Sequence, residues 1–258
     1  MHPYLEGPYP RAFAHRGWHL GELAGMENSL RAFRRAADEG YTYLETDVHA
    51  TADGVVVVHH DGTMERTTDG RGLVGAQPWS AVRGVRINGI EPVCRLADVL
   101  EELPHVKINI DVKADSAISP ILDLLRRTNT WDRVCLASFS ERRLARLRAG
   151  GGPRLLTGLG PRSAAALRVR SWVPWLRPAP PVRGRLAQLP RRQGPLTVVD
   201  PVLLRHAHRL GIEVHVWTVN AAEDMVELLD LGVDGLVTDR PDVLRAVLTA
   251  RGLWPSGA

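Results

Sequence analysis

Apolar and polar positions along the 258-residue chain follow two periods in turn. Short β-like runs fall at residues 12–15, 43–48, 107–112, 134–139, 154–159, 196–200, 214–219 and 235–239. Between them, apolar positions recur three and four apart, as on a helix with one buried face. These stretches span 28–39, 118–128, 141–149, 163–169, 201–210, 221–231 and 241–249, with one more at 96–103. Gly40, Gly150, Gly211 and Gly232 stand where four of the helices should end, as C-terminal caps. Eight strands, each trailed by a helix, predict an α/β fold: a parallel (β/α)8 TIM barrel in one domain over residues 1–258. An open doubly wound sheet would carry a glycine-rich phosphate loop after its first strand, where this chain has His15-Arg16-Gly17.

The alternation breaks after the second strand. Thr51-Ala52-Asp53-Gly54 leads directly into another apolar run at 55–59, a link too short for a crossover helix. The two runs should therefore pair as an antiparallel β-hairpin. A turn centred on Ala52 and Asp53 sets His60 opposite Glu45, and a slip of one residue would present His59 instead. The whole interruption, about residues 49–95, reads as a small insertion over the barrel mouth and not as a second domain.

Active sites of such barrels sit at the C-terminal ends of the strands. Those ends carry His15 and Arg16, Glu45 and Asp47, Asp111 and Lys113, Ser138, Asp200, Trp217 and Asn220, and Thr238 and Asp239, with His60 arriving through the hairpin. Strand alternation gives Glu45 and Asp47 one face, and Asp111 and Lys113 likewise share one. Three carboxylates in one mouth repel unless a cation lies between them, and a hard divalent ion, Ca²⁺ or Mg²⁺, suits their oxygen ligands. The plainer alternative pairs each carboxylate with an arginine. The convergence of three favours the metal. Two histidines at the same rim, each with an ordinary pKa of about 6.5, suit general acid–base catalysis. Arg16 and Lys113 would hold an anionic substrate, and Lys113 is one of only two lysines in the chain. Metal, cations and paired imidazoles together describe a phosphate-ester site.

Composition narrows the partners. With 44% apolar and 24% charged residues the chain is an ordinary globular protein, and two cysteines cannot staple it. No apolar run nears the roughly 18 residues of a membrane span, and the N-terminus lacks the pattern of a secretory signal, so a cytoplasmic protein is expected. Lysine being so scarce, nearly all basic residues are arginine, and thirteen arginines with no acid lie between Arg142 and Val199. That asymmetry points to an anionic partner. Within it, Trp172, Trp175 and Arg177 resemble an interfacial anchor for peripheral contact with a membrane surface, on an irregular loop after the fifth helix. The alternative folds both tryptophans back on the barrel. No nucleic-acid-binding module appears, and the acidic strand ends argue against a nucleic-acid partner.

The sequence also resembles the glycerophosphodiester phosphodiesterase family of bacterial, TIM-barrel type, over nearly its whole length. The matching motifs are His15-Arg16-Gly17, Glu27-Asn28, Glu45-x-Asp47-Val48, His60-Asp61 followed by Arg66-Thr67, and Asn109-Ile110-Asp111-Val112-Lys113. Ser138-Phe139, Trp217-Thr218-Val219-Asn220 and the run from Gly232 to Pro241 complete the series. The resemblance implies a divalent metal at Glu45, Asp47 and Asp111, and catalytic histidines at His15 and His60. It further implies phosphate contacts from Arg16 and Lys113, and an aromatic wall at Trp217. The implied reaction cleaves a glycerophosphodiester to an alcohol and sn-glycerol 3-phosphate. By analogy the neighbouring glycerol hydroxyl attacks and leaves a cyclic phosphate; direct attack by water stays open. Two rivals are a lysophospholipid-cleaving, phospholipase-D-like enzyme and a phosphodiester-binding module without turnover. Met26 and Ser29 stand where the family usually has Pro and Thr, and Asp111 where Glu is common. The last change shortens the reach to a metal by one methylene.

Overall fold

The computed structural model describes residues 2–173, 175 and 181–254. Eight strands line a barrel: β1 (Arg11–His15), β2 (Tyr43–Ala50), β3 (Lys107–Val112), β4 (Val134–Ala137), β5 (Leu156–Thr157), β6 (Leu186–Pro190), β7 (Glu213–Trp217) and β8 (Gly235–Thr238). They pair in parallel in the order β5-β4-β3-β2-β1-β8-β7-β6. A parallel bridge from Gly158 to Leu186, and a hydrogen bond from Leu159 N–H to the Leu186 carbonyl at 2.8 Å, close the ring. The outer layer is α1 (Leu30–Asp38), α2 (Leu96–Glu102), α3 (Ile118–Thr128), α4 (Glu141–Gly151), α5 (Pro161–Trp172), α6 (Pro201–Arg209), α7 (Ala222–Leu231) and α8 (Pro241–Ala250). This is the TIM barrel expected from the alternation.

Local chemistry sets the helix ends. The hydroxyls of Ser29 and Ser140 and the carboxylate of Asp200 accept backbone N–H bonds at the starts of α1, α4 and α6. Gly40, Gly211 and Gly232 follow their helices with positive φ, as read from the sequence. Gly150 does not: α4 runs one residue past it, and Gly152, at φ +71°, makes the turn.

Two strands depart from the expectation. The sixth barrel strand is β6, not residues 196–200. Its sequence, Leu186-Ala187-Gln188-Leu189-Pro190, is broken by an amide and ended by proline, so its apolar signal is weak. It nevertheless pairs with β7 along its full length. Leu196–Thr197 instead forms a small exposed hairpin with Arg192–Gln193, and Asp200 caps α6. The fifth strand shrinks to two residues. The segment after the fifth helix is not all loop either, since α5 continues through Ser171 and Trp172.

Phe13, Tyr43, Cys135, Leu186 and Val237 pack inside the barrel with Tyr4 and Leu5 from the N-terminal segment. They form an apolar floor. Two residues further along the same strands and faces come His15, Glu45 and Gln188, so alternation lifts polar groups towards the mouth. Below the floor, at the N-terminal ends of the strands, the fully buried Arg11 donates to both carboxylate oxygens of Glu213 at 2.7 Å and to the Tyr43 hydroxyl at 2.8 Å. The insertion shares a small core with the β1–α1 loop, Leu23 and Met26 of the loop packing with Val57, Met64, Val74, Val82 and Ile87.

The acid-free arginine stretch is neutralised in space only in part: five of its thirteen arginines, Arg143, Arg146, Arg154, Arg168 and Arg191, meet acids among the described residues. Arg143 meets Asp115 at 2.9 Å, Arg168 meets Asp200 at 2.6 Å, and Arg191 meets Asp224 and Glu227, all acids from other segments. Trp172 is 47% exposed under the Arg168 guanidinium, 4.0 Å from the ring centroid, and Trp175 is 75% exposed. Arg177 lies outside the described residues. Among the described residues no helix is long and apolar enough to cross a membrane.

Candidate active site

The C-terminal end of the barrel opens into a cavity of about 430 Å³. All eight residues singled out from the sequence reach it: His15, Arg16, Glu45, Asp47, His60, Asp111, Lys113 and Trp217. Sheet register brings the carboxylates together, with Asp47 beside Asp111 and Glu45 beside both His15 and Asn109. The opposite wall is apolar, built from Phe139, Leu159, Pro161, Leu189, Pro190 and Trp217. Phe139 and Trp217 meet edge to face at 5.8 Å, and the partly buried Trp217 both lines the cavity and packs against the apolar floor beneath it.

Each candidate histidine is tied to a carboxylate through Nδ1. His15 Nδ1 donates to Asp239 at 2.6 Å, leaving Nε2 facing Glu45 Oε2 at 3.5 Å. Burial would raise the Asp239 pKa, but the hydrogen bond from His15 and the His19 ring 3.5 Å away outweigh it and hold the carboxyl well below the usual range. His60 Nδ1 donates to Asp61 at 2.5 Å, and hydrogen bonds from Arg66 and His60 hold the pKa of that carboxyl far below its ordinary value. With both acids ionised, the Nδ1–H tautomer is assigned to each ring.

The hairpin delivers His60 in a register different from the expected one. Val48 pairs with Val58 and Ala50 with Val56, a shift of one residue that brings His59 level with Asp47 and takes His60 from its expected place opposite Glu45. The extra residue lies in the turn, where Thr51 caps the loop through its hydroxyl and Gly54 adopts φ +81°. The ladder stops at Val58, and strand alternation does not extend to His59 and His60. His59 turns away, its Nε2 bonded to the Thr63 carbonyl at 3.0 Å, and His60 lines the cavity.

Arg16 and Asn28 hold the β1–α1 loop in left-handed conformations, at φ +57° and +60°. The strain is countered by backbone bonds from Arg16 N–H to the Glu45 carbonyl and from Asn28 N–H to the Arg16 carbonyl, both 2.9 Å. Gly17 between them is obligatory, because a Cβ there would lie 2.8 Å from the Ala32 backbone. So folded, Arg16 Nε lies 3.2 Å from Asp47 and Nη1 donates to Glu27 at 2.8 Å, while Asn28 Nδ2 donates to Asp47 at 3.1 Å. Lys113 Nζ bridges Asp47 at 2.9 Å and Asp111 at 2.7 Å.

Charge is unevenly compensated. Burial raises the Asp47 pKa, but Lys113 and Arg16 more than offset that and depress it. Glu45 is pushed well above the ordinary value by burial first, then by Asp47 and Asp111, and burial also raises Asp111. Glu45 Oε2, Asp111 Oδ1 and Asn109 Oδ1 are buried without a hydrogen-bond partner. Among the described residues no three His, Cys, Asp or Glu groups stand ready as a cation cage, since Lys113 occupies the space between two of them. The orphaned, oxygen-only donors and the excess negative charge nonetheless fit a hard divalent cation.

The sequence places Asp239 and Asn220 at strand ends but assigns them no role. In the structure Asn220 donates to Asp239 at 3.3 Å and accepts from its backbone N–H at 2.9 Å, setting the acid that holds His15. Gln188, which also lines the cavity, was hidden with the misplaced sixth strand.

The chain is similar to known proteins over most of its length. Residues 15–243 match the Glycerophosphoryl diester phosphodiesterase family. "Probable glycerophosphodiester phosphodiesterase 2" of Mycobacterium tuberculosis is 41% identical over 257 residues, covering 94% of this chain and 92% of that protein. Lysophospholipase D GDPD1 of Homo sapiens is 25% identical over 272 residues, covering 91% of this chain and 85% of that one. A glycerophosphodiester phosphodiesterase from Agrobacterium tumefaciens shares the fold with a TM-score of 0.75 at 24% identity, over 93% of this chain and 99% of that one. So does an Oleispira antarctica phosphodiesterase solved in complex with the product sn-glycerol-3-phosphate, with a TM-score of 0.76 at 20% identity, over 93% and 97%. Match and relatives span nearly the whole barrel, and the chain belongs to the glycerophosphoryl diester phosphodiesterase family.

Proposed function

We propose that the protein hydrolyses glycerophosphodiesters to an alcohol and sn-glycerol 3-phosphate, with His15 and His60 as general base and acid. Family membership and the activity named for the relatives support the reaction class. The observation that carries the division of labour is the pair of His–carboxylate dyads, His15–Asp239 and His60–Asp61, at the rim of one cavity. Each acid fixes Nδ1–H and leaves Nε2 to take a proton from the attacking oxygen or give one to the departing alcohol. Asp239 and Asp61 also stabilise the imidazolium formed in passing. Arg16 and Lys113 supply the positive charge that receives the phosphate. Glu45, Asp47 and Asp111 are proposed to hold one divalent ion, Ca²⁺ or Mg²⁺, which would supply Lewis acidity, easing deprotonation of the attacking hydroxyl and offsetting transition-state charge. The attacking oxygen is either the adjacent glycerol hydroxyl or water.

A lysophospholipid-cleaving reaction is the second reading. The apolar wall of Phe139, Leu159 and Trp217 favours it, as does the name of the human relative. Peripheral membrane contact through Trp172, Trp175 and Arg177 would fit such a substrate. Incubation with glycerophosphocholine and with lysophosphatidylcholine, with and without chelator, followed by product identification, tests both readings. No turnover of either compound, with binding retained, would make the chain a phosphodiester-binding module instead.

A further inference from the structure

The functional assignment leaves Arg66 and Glu27 without a role, although the structure gives them an unusual place. Arg66 is half-exposed, on the insertion, and bridges two carboxylates. Its Nε donates to Asp61 at 2.5 Å and its Nη2 to Glu27 at 2.8 Å, with secondary contacts to each at 3.3 Å. Both acids have a second partner inside the site. Asp61 accepts from His60 Nδ1 at 2.5 Å and Glu27 from Arg16 Nη1 at 2.8 Å. One guanidinium thus sits at the junction of two arms, one ending on an imidazole and the other on an arginine that lines the cavity. Two segments distant in sequence, the hairpin insertion and the β1–α1 loop, meet across it.

We propose that Arg66 is a positioning residue that sets His60 and Arg16 relative to each other through Asp61 and Glu27. The proposal rests on the functional reading above. A planar guanidinium holds two carboxylates in a set relative orientation because its donors are fixed in a fork, whereas an ammonium is a compact point charge with rotatable donors. Neither acid needs the link to remain ionised in water. What the link supplies is geometry: it fixes the carboxylate that orients the imidazole and the carboxylate that aims Arg16.

The two arms predict a split in the kinetics. Asp61→Asn should act on kcat and Glu27→Gln on KM, and Arg66→Ala should do both, by about tenfold on kcat and about fivefold on KM. Added to Asp61→Asn, Arg66→Ala should cost no further kcat, and added to Glu27→Gln no further KM. Because the site of Arg66 is open to solvent, millimolar methylguanidinium should restore part of the lost kcat of Arg66→Ala, and sodium chloride at equal ionic strength should not. Calorimetric binding of sn-glycerol 3-phosphate provides a second readout, expected to weaken equally in Glu27→Gln, Arg66→Ala and their double variant. Wild-type activity in Arg66→Ala, or losses that multiply in the doubles, would overturn the proposal. A wild type that binds sn-glycerol 3-phosphate but turns over no glycerophosphodiester would defeat the functional reading alone, the binding cycle still testing the Glu27 arm. Absence of both turnover and binding would defeat the two together.

Discussion

Arg11→Met should destabilise the barrel strongly at neutral pH and much less in acid. In the wild type, burial would raise the pKa of Glu213, but hydrogen bonds from Arg11, His215 and Tyr9 push it down from an ordinary 4.5 to about 2. At about 1.4 kcal/mol per pH unit, that difference is worth about 3 kcal/mol of stability. The folded pKa is the depressed one, so this contribution is complete above pH 4.5 and is lost as the pH falls through 4.5 towards 2. Removing Arg11 strands a buried carboxylate, at a cost of about 3–5 kcal/mol at pH 7. Once Glu213 is protonated in the variant, most of that cost disappears. Urea unfolding followed by tryptophan fluorescence should therefore give a gap between wild type and Arg11→Met that narrows by about 2 kcal/mol from pH 7 to pH 3. Subtracting the variant from the wild type removes the other depressed acids, Asp61 and Asp239, which titrate in both proteins. The pair lies at the opposite end of the barrel from the cavity, so kcat at pH 7 should be unchanged wherever the variant is folded. A gap equal at both pH values would refute the reasoning, because it would mean that the charge on Glu213 is irrelevant to what Arg11 contributes.

Glu45→Gln, Asp47→Asn and Asp111→Asn should each depress turnover severely with at most partial rescue by excess divalent ion; full activity of a chelator-treated, metal-free preparation would remove the carboxylates from the mechanism. His15→Ala and His60→Ala should each lower kcat by about 10²–10⁴-fold. His59→Ala, whose imidazole serves the Thr63 carbonyl, should cost far less, and a larger loss there in folded protein would reverse the assignment. Anionic vesicles at low salt should co-sediment with the protein and lose it in a Trp172→Ala/Trp175→Ala/Arg177→Ala variant; equal sedimentation of the two proteins would dismiss the anchor.

Much of the barrel was legible because its strands are buried on both faces and read as apolar runs, with helices between them in a second period. The failures have local causes. Gln188 and Pro190 dilute the signal of β6, and the more continuous run at 196–200 outcompetes it in any reading by hydrophobicity alone. The hairpin register depends on how many residues Thr51 and Gly54 enclose, which turn composition does not count. His60 still arrives at the site because pairing ends at Val58 and its loop, held by Asp61 and Thr63, sets the ring. The His15–Asp239 contact joins the first strand to the segment after the last. The sequence supplies both strand ends, but only ring closure of β1 against β8 makes them neighbours.

Charge was the least legible property, for a physical reason. Counting along the chain treats thirteen acid-free arginines as one patch, but potential depends on neighbours in space. Around a barrel, each element is flanked by others from distant sequence. Asp115, before α3, takes Arg143 of α4; Asp200, at the start of α6, takes Arg168 of α5; and two acids of α7 take Arg191. What survives is smaller: among the described residues seven arginines of the stretch make no ion pair, while the guanidinium over the exposed Trp172 is itself paired with Asp200. Attraction to anionic lipid must then come from the arginines left unpaired around it. The vesicle assay is therefore sharpest with single substitutions: replacing Arg170, which makes no ion pair among the described residues, should weaken binding more than replacing Arg143.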